Sequence, residues 1–196
     1  AKKYGAMFIL LPLGDSGLPK DLEEKKTNIK KVLDKALAMG LKKEDIIVDG
    51  LVGTVGAVKT AGTDTLETIR YCHELGLATV CGLSNISFGL PERINVNTAF
   101  LTMAIQSGLT MAICNPNQEQ IINAALSADI LMNKKNADIK YIEHMNTVKE
   151  ARESSSGGEP RVMEKEEITP LDAVKNGVLK GNREHILKLT RNALDT

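Results

Sequence analysis

Along the chain, short unbroken apolar runs alternate with longer stretches in which apolar positions recur every three or four residues. The runs are Ala6 to Leu11, the core of Asp45 to Asp49, Ala78 to Cys81, and Leu109 to Cys114. Each is nearly continuous, the pattern of parallel strands buried on both faces. Between the first two, Leu22, Ile29, Val32, Leu33, Ala36 and Leu37 trace one helical face, opened by Pro19 and Asp21 and stopped by Gly40. Further helices are expected over Asp64 to Leu75, about Asn95 to Ser107, and Gln118 to Ser127, the first two stopped by Gly76 and Gly108. The order βαβαβαβα predicts a parallel sheet.

Strand starts near 6, 45, 78 and 109 have the spacing of a (β/α)8 barrel, a fold that needs about 250 residues. Four units leave two architectures open: a small doubly wound sheet, or half a barrel whose other units lie upstream. The start at Ala1, without Met and close to the first run, favours the second. Beyond the fourth unit the composition changes. Lys149 to Glu167 clusters Ser, Gly, Pro and charge and reads as a flexible linker. From Thr169-Pro170 a helical pattern resumes, breaks at Gly181-Asn182 and continues through Ile186, Leu187 and Leu189. The expected organisation is thus 1–148, linker 149–167, and a helix pair over 168–196.

Composition narrows the function. Lys+Arg and Asp+Glu both number 25, so no basic footprint for nucleic acid or anionic membrane is present. Aromatic content of 3% argues against base-stacking platforms. The longest apolar run is too short to span a bilayer. Three scattered cysteines suit a reduced, cytoplasmic setting, and with the histidines they show no metal spacing.

Chemistry in parallel βα folds sits at the carboxyl ends of the strands. Those ends read Asp49-Gly50, Gly82-Leu-Ser84-Asn85 and Asn115-Pro116. They bring an acceptor and amide donors but no strong base or nucleophilic pair, which suits holding a polar heterocycle better than hydrolysis. Helix capping is an alternative reading for Asp49 and Asn115; Asn85 lies too far before the next helix for it. The stretch from Gly50 to Thr60 fits no phosphate-loop motif and reads as a mobile loop.

The stretch "CGLSNISFGLPER", with "NTAFLTMAIQSGLTMAICNP" after it and "IIVDG" before it, resembles the pterin-binding barrel of cobalamin-dependent methionine synthases. It is also similar to the methyltetrahydrofolate:corrinoid/iron–sulfur protein methyltransferases. The resemblance covers about residues 1 to 145. It implies the C-terminal half of a dihydropteroate-synthase-like (β/α)8 barrel, with the tail resembling the first helices of a cap before a cobalamin-binding module. It implies transfer of the N5 methyl of 5-methyltetrahydrofolate to cob(I)alamin, in methionine biosynthesis. Asn85 matches the asparagine near N5, Asp49 the aspartate that holds the pterin, and Arg93 and Asn97 polar residues that follow. Gly82, Ser84 and Asn115 complete the substrate-binding set. Implied partners are a cobalamin domain or corrinoid protein and the upstream half of the barrel, with a homodimer as another way to complete the sheet. Two positions depart from the pattern. Phe88 stands where the corrinoid/iron–sulfur enzymes carry an amide, and Gly50 replaces a proline. Against the enzyme reading stand a non-catalytic half-barrel fragment and a phosphate-ligand binder on a doubly wound sheet.

Overall fold

A computed structural model describes residues 1–15, 17–155, 169–179 and 185–194. They divide into two compact units, Ala1–Lys134 and Lys135–Thr196. The first unit carries four strands, β1 (Phe8–Leu10), β2 (Ile46–Asp49), β3 (Ala78–Gly82) and β4 (Met111–Ile113). Their helices are α1 (Leu22–Ala38), α2 (Ala61–Glu74), α3 (Arg93–Gln106) and α4 (Glu119–Leu131). All strand pairs are parallel, and the spatial order β1-β2-β3-β4 follows the sequence.

Local chemistry sets the element ends. Asp21 caps α1 by accepting the Glu24 N–H at 2.8 Å, and Glu24 reaches back to the Lys20 N–H at 2.9 Å. Gly108 ends α3 at φ +104°, and a Cβ there would lie 2.6 Å from the His73 ring, so only glycine fits this corner.

One face of the sheet is covered. Leu10, Ile46 and Val48 pack with Ile29, Leu33 and Ala36 of α1 and with Cys72 of α2. Cys81 packs with Leu66 and Ile69 of α2 and Leu101 and Ala104 of α3. The other face is open apart from Val80, 6% exposed near its centre. The register pairs Ile9 with Ile47, Asp49 with Val80, Val80 with Met111, and Gly82 with Ile113, which puts these side chains on one side. Ile9 is 49% exposed and Ile113 61%. The expectation of strands buried on both faces therefore fails on this side: the sequence runs are apolar on both faces, but cover lies on only one.

The second unit holds α5 (Ala137–Ser155), α6 (Pro170–Leu179) and α7 (Ile186–Leu194). Helix α5 runs through the first seven residues of the expected linker, 149–155, with Lys149 and Glu153 paired one turn apart at 3.7 Å. The rest of that linker, 156–167, lies outside the described residues, as does the Gly181-Asn182 break. Helices α6 and α7 pack together at Gly177, where a Cβ would lie 2.9 Å from the Leu189 Cδ1. No described helix is long and apolar enough to cross a membrane.

Candidate functional site

At the carboxyl rim of the sheet, β2 ends on Asp49. Its Oδ1 accepts the Leu51 N–H at 2.8 Å, closing a turn in which Leu51 takes φ +46°. Helix α2 starts only at Ala61, so Asp49 shapes the strand exit and caps no helix. Gly50 extends the ladder by donating its N–H to Val80 O at 2.9 Å. A proline, the residue the resemblance leads one to expect there, has no N–H for that bond.

Strand β3 ends on Gly82 and passes into one tight helical turn, Leu83–Ser87. Ser84 and Asn85 sit exposed on that turn. The Asn85 Nδ2 lies 3.0 Å from where a Gly82 Cβ would stand, so the amide folds back over the strand end. Gly82 shares its face with Val80, and Val80 is paired with Asp49. The Asn85 amide and the Asp49 carboxylate thus meet the same open face. Among the described residues the Asn85 side chain makes no hydrogen bond, and being exposed it is left to solvent or a ligand.

The remaining expected residues gather elsewhere on the rim. A cleft of about 290 Å³ is lined by Ser84, Arg93, Asn97 and Asn115, together with Cys114 and Gln118. Asp49, Gly82 and Asn85 are not in its lining. Arg93 does not extend freely into it. Its Nε donates to the Ser87 Oγ at 3.1 Å and its Nη2 to the Ser84 carbonyl at 2.6 Å. Ser87, fully buried, donates in turn to Asn97 Oδ1 at 2.7 Å. Arginine only donates and a hydroxyl carries one hydrogen, so the relay runs from Arg93 through Ser87 to Asn97. Asn97 is itself 6% exposed. Asn115 Oδ1 accepts the Asn117 N–H at 3.0 Å, a local turn rather than the cap of α4, which falls on Gln118.

The loop from Gly50 to Thr60 is tied down where the sequence suggested mobility. Val55 N–H donates to Ile86 O at 3.1 Å, and Thr54 Oγ1 to Phe88 O at 2.8 Å. These bonds brace the turn that carries Asn85. Phe88 itself is 68% exposed, with the Arg93 guanidinium 5.9 Å from its ring centre.

Two residues of this rim were missed from the sequence. Ser87 carried no signal beyond its place in the motif. Lys25 did: it falls on the apolar stripe of α1, is 7% exposed, and donates from Nζ to Gly50 O at 3.2 Å. Burial pushes its ammonium below the ordinary lysine value, while Asp64 and Asp49 pull it back up. Burial also pushes the Cys81 thiol up to about 12, with the nearby Asp49 carboxylate adding to it. Among the described residues no three His, Cys, Asp or Glu side chains are placed to hold a metal ion.

Comparison with known proteins falls on this same region. A curated methylcorrinoid:tetrahydrofolate methyltransferase from Eubacterium limosum is 25% identical over 136 residues. That match takes in 68% of the chain, which spans about half the length of the relative, 50%. Residues 16–115 match the model of the pterin binding enzymes, just over half of the 196 residues and the whole stretch from α1 to the cleft, and the chain belongs to that family.

Proposed function

We propose that the rim of the open face binds the reduced pterin of methyltetrahydrofolate for methyl transfer between N5 and the cobalt of a corrinoid. The observation that carries this reading is the placement of Asp49 and an unengaged Asn85 amide on one face, inside the family match.

A cob(I)alamin acceptor is itself a strong nucleophile, so the protein has no nucleophile to supply. The obstacle is the leaving group. As the methyl moves to cobalt, N5 retains the C–N electron pair and must take a proton or hydrogen bond. The Asn85 amide can donate there as that electron density rises. Asp49, with Oδ1 engaged by Leu51, has its second oxygen for pterin N–H groups and fixes the ring. Arg93 and Ser87 act through Asn97, which they hold in place beside the cleft. Asn115, Ser84 and Gln118 offer further polar groups to the rest of the folate.

The same groups serve either direction, since a path that favours departure from N5 also favours arrival there. The printed name of the Eubacterium limosum relative gives methylcorrinoid as the donor and tetrahydrofolate as the acceptor. That observation favours a second reading, a corrinoid-protein methyltransferase in place of a methionine-synthase-type enzyme.

The sheet is read as half of a (β/α)8 barrel. Strands in strictly sequential order show no reversal of the doubly wound kind. Ile9, Met111 and Ile113 would then be barrel-interior residues, and β1 and β4 the edges that meet the other half. The cobalamin would be held by a partner domain or protein, in a reduced cytoplasmic setting that suits three free cysteines. Calorimetric titration of the full-length protein with methyltetrahydrofolate tests the reading. Binding is expected, weakened about tenfold or more by Asp49→Ala; no heat of binding in the wild type would remove it.

A further inference from the structure

Lys25 stands where the sequence pattern of α1 calls for a hydrophobe. Leu22, Ile29, Leu33 and Ala36 share its stripe, and at 7% exposed it is nearly as buried as Leu33 and Ala36. A buried ammonium ordinarily keeps a carboxylate partner. Among the described residues Lys25 makes no ion pair. Its contacts are two main-chain carbonyls of one turn: Gly50 O at 3.2 Å and Leu51 O at 3.5 Å. That turn follows Asp49 directly, and its Leu51 N–H is the group that engages Asp49 Oδ1.

We infer that Lys25 is a positioning residue for Asp49, clamping the 50–51 turn from the side opposite the carboxylate. The inference rests on the pterin reading above and deepens it. Leu51 is held with φ +46°, a conformation that a leucine adopts only under constraint. The Leu51 N–H, fixed by Asp49, and the Gly50 C=O, which accepts from the Lys25 Nζ, are the two ends of one peptide unit. The peptide therefore cannot rotate without giving up a contact at each end. Asp49 in turn keeps one oxygen committed and one free, in a single rotamer, before any ligand arrives. Pre-set geometry of this kind is what makes a polar group effective on a bound ring. Burial disfavours the ammonium, and the Asp64 and then the Asp49 carboxylates partly offset that.

A lysine that merely fills space would behave differently, and a four-protein comparison separates the cases. Full-length wild type, Lys25→Met, Asp49→Ala and the double variant are titrated with methyltetrahydrofolate. Hydrogen exchange at the Leu51 amide is followed in the ligand-free proteins. Methionine keeps the bulk of the side chain and removes both charge and donors. Lys25→Met should bind about ten- to a hundredfold more weakly, add no further loss on top of Asp49→Ala, and exchange faster at Leu51 while β2 and β3 stay protected. Additive losses in the double variant overturn the inference. So does a Leu51 amide indifferent to the substitution in a wild type that binds. If the wild type fails to bind but Leu51 still exchanges faster in Lys25→Met, the pterin reading falls and the clamp stands. Should Lys25→Met lose protection across the whole sheet, Lys25→Gln, which retains a donor, is measured against the same outcomes.

Discussion

The two faces of the sheet are made by the same four strands, with neighbouring residues pointing opposite ways. On one face Ile46 and Val48 are wholly buried under α1 and α2. On the other, Ile9 keeps about half of its surface in water and Ile113 more than half. The covered face explains why the unit folds. On the proposed reading the open face is the working one, because Asp49 and the Asn85 amide meet it. Apolar side chains left exposed beside a polar rim mark a surface made to be occupied.

The sharpest way to break this comparison is to remove the same methyl groups from each side. Ile69→Ala, in the covered core, should cost about 2–5 kcal/mol in denaturant unfolding. Ile113→Ala, on the open face, should change the stability of this chain by no more than about 0.5 kcal/mol. If the other half of a barrel covers that face in the full-length protein, the Ile113 change becomes costly there. Equal, small effects in both proteins would argue against the half-barrel.

A second contrast lies within the rim. Ser87→Ala leaves Asn97 Oδ1 buried without its donor and should cost about 1–3 kcal/mol. Asn85→Ala removes an amide that bonds to nothing among the described residues, and should leave the unfolding midpoint where it was. Reversed effects would show that Asn85 is structural and Ser87 is not.

Smaller effects sharpen the same division through the cysteines. Cys114 lines the cleft, while Cys72 and Cys81 are buried. A thiol reagent should modify Cys114 first, and methyltetrahydrofolate should slow that reaction. Burial pushes Cys72 and Cys81 up from 9.0 to about 12. Their protons are held longer in the folded chain than in the unfolded one. Stability they contribute below pH 9.0 is therefore lost as pH climbs towards about 12. Replacing both by alanine should flatten that fall, read as the slope of unfolding midpoint against pH.

Much of this was legible in the sequence, for reasons that differ by element. Strands β1 to β4 announced themselves as apolar runs, and α1 by its stripe, its Asp21 cap and Gly40. Helix α2 starts at Ala61, three residues before its expected start, because Gly62 in its first turn reads as a breaker. The helical character of residues 149–155 was masked by the charges of Lys149, Glu150, Arg152 and Glu153, which lie exposed on the helix. At the rim, the places of Asp49 and Asn85 at strand ends were readable from the sequence, while their roles stand as proposed above. The indirect roles were not. Periodicity places Arg93 and Asn97 near one another but says nothing of Ser87 between them. Lys25 was visible as a charge on an apolar stripe, yet its target, a carbonyl 25 residues away, is a property of the fold.

The most direct measurement is the rate of methyl transfer between methyltetrahydrofolate and cob(I)alamin, followed by the corrinoid spectrum, in full-length wild type and Asn85→Ala. A placed donor to N5 predicts a loss of about 10- to 1000-fold with folding unchanged. Equal rates in the two proteins would contradict the account.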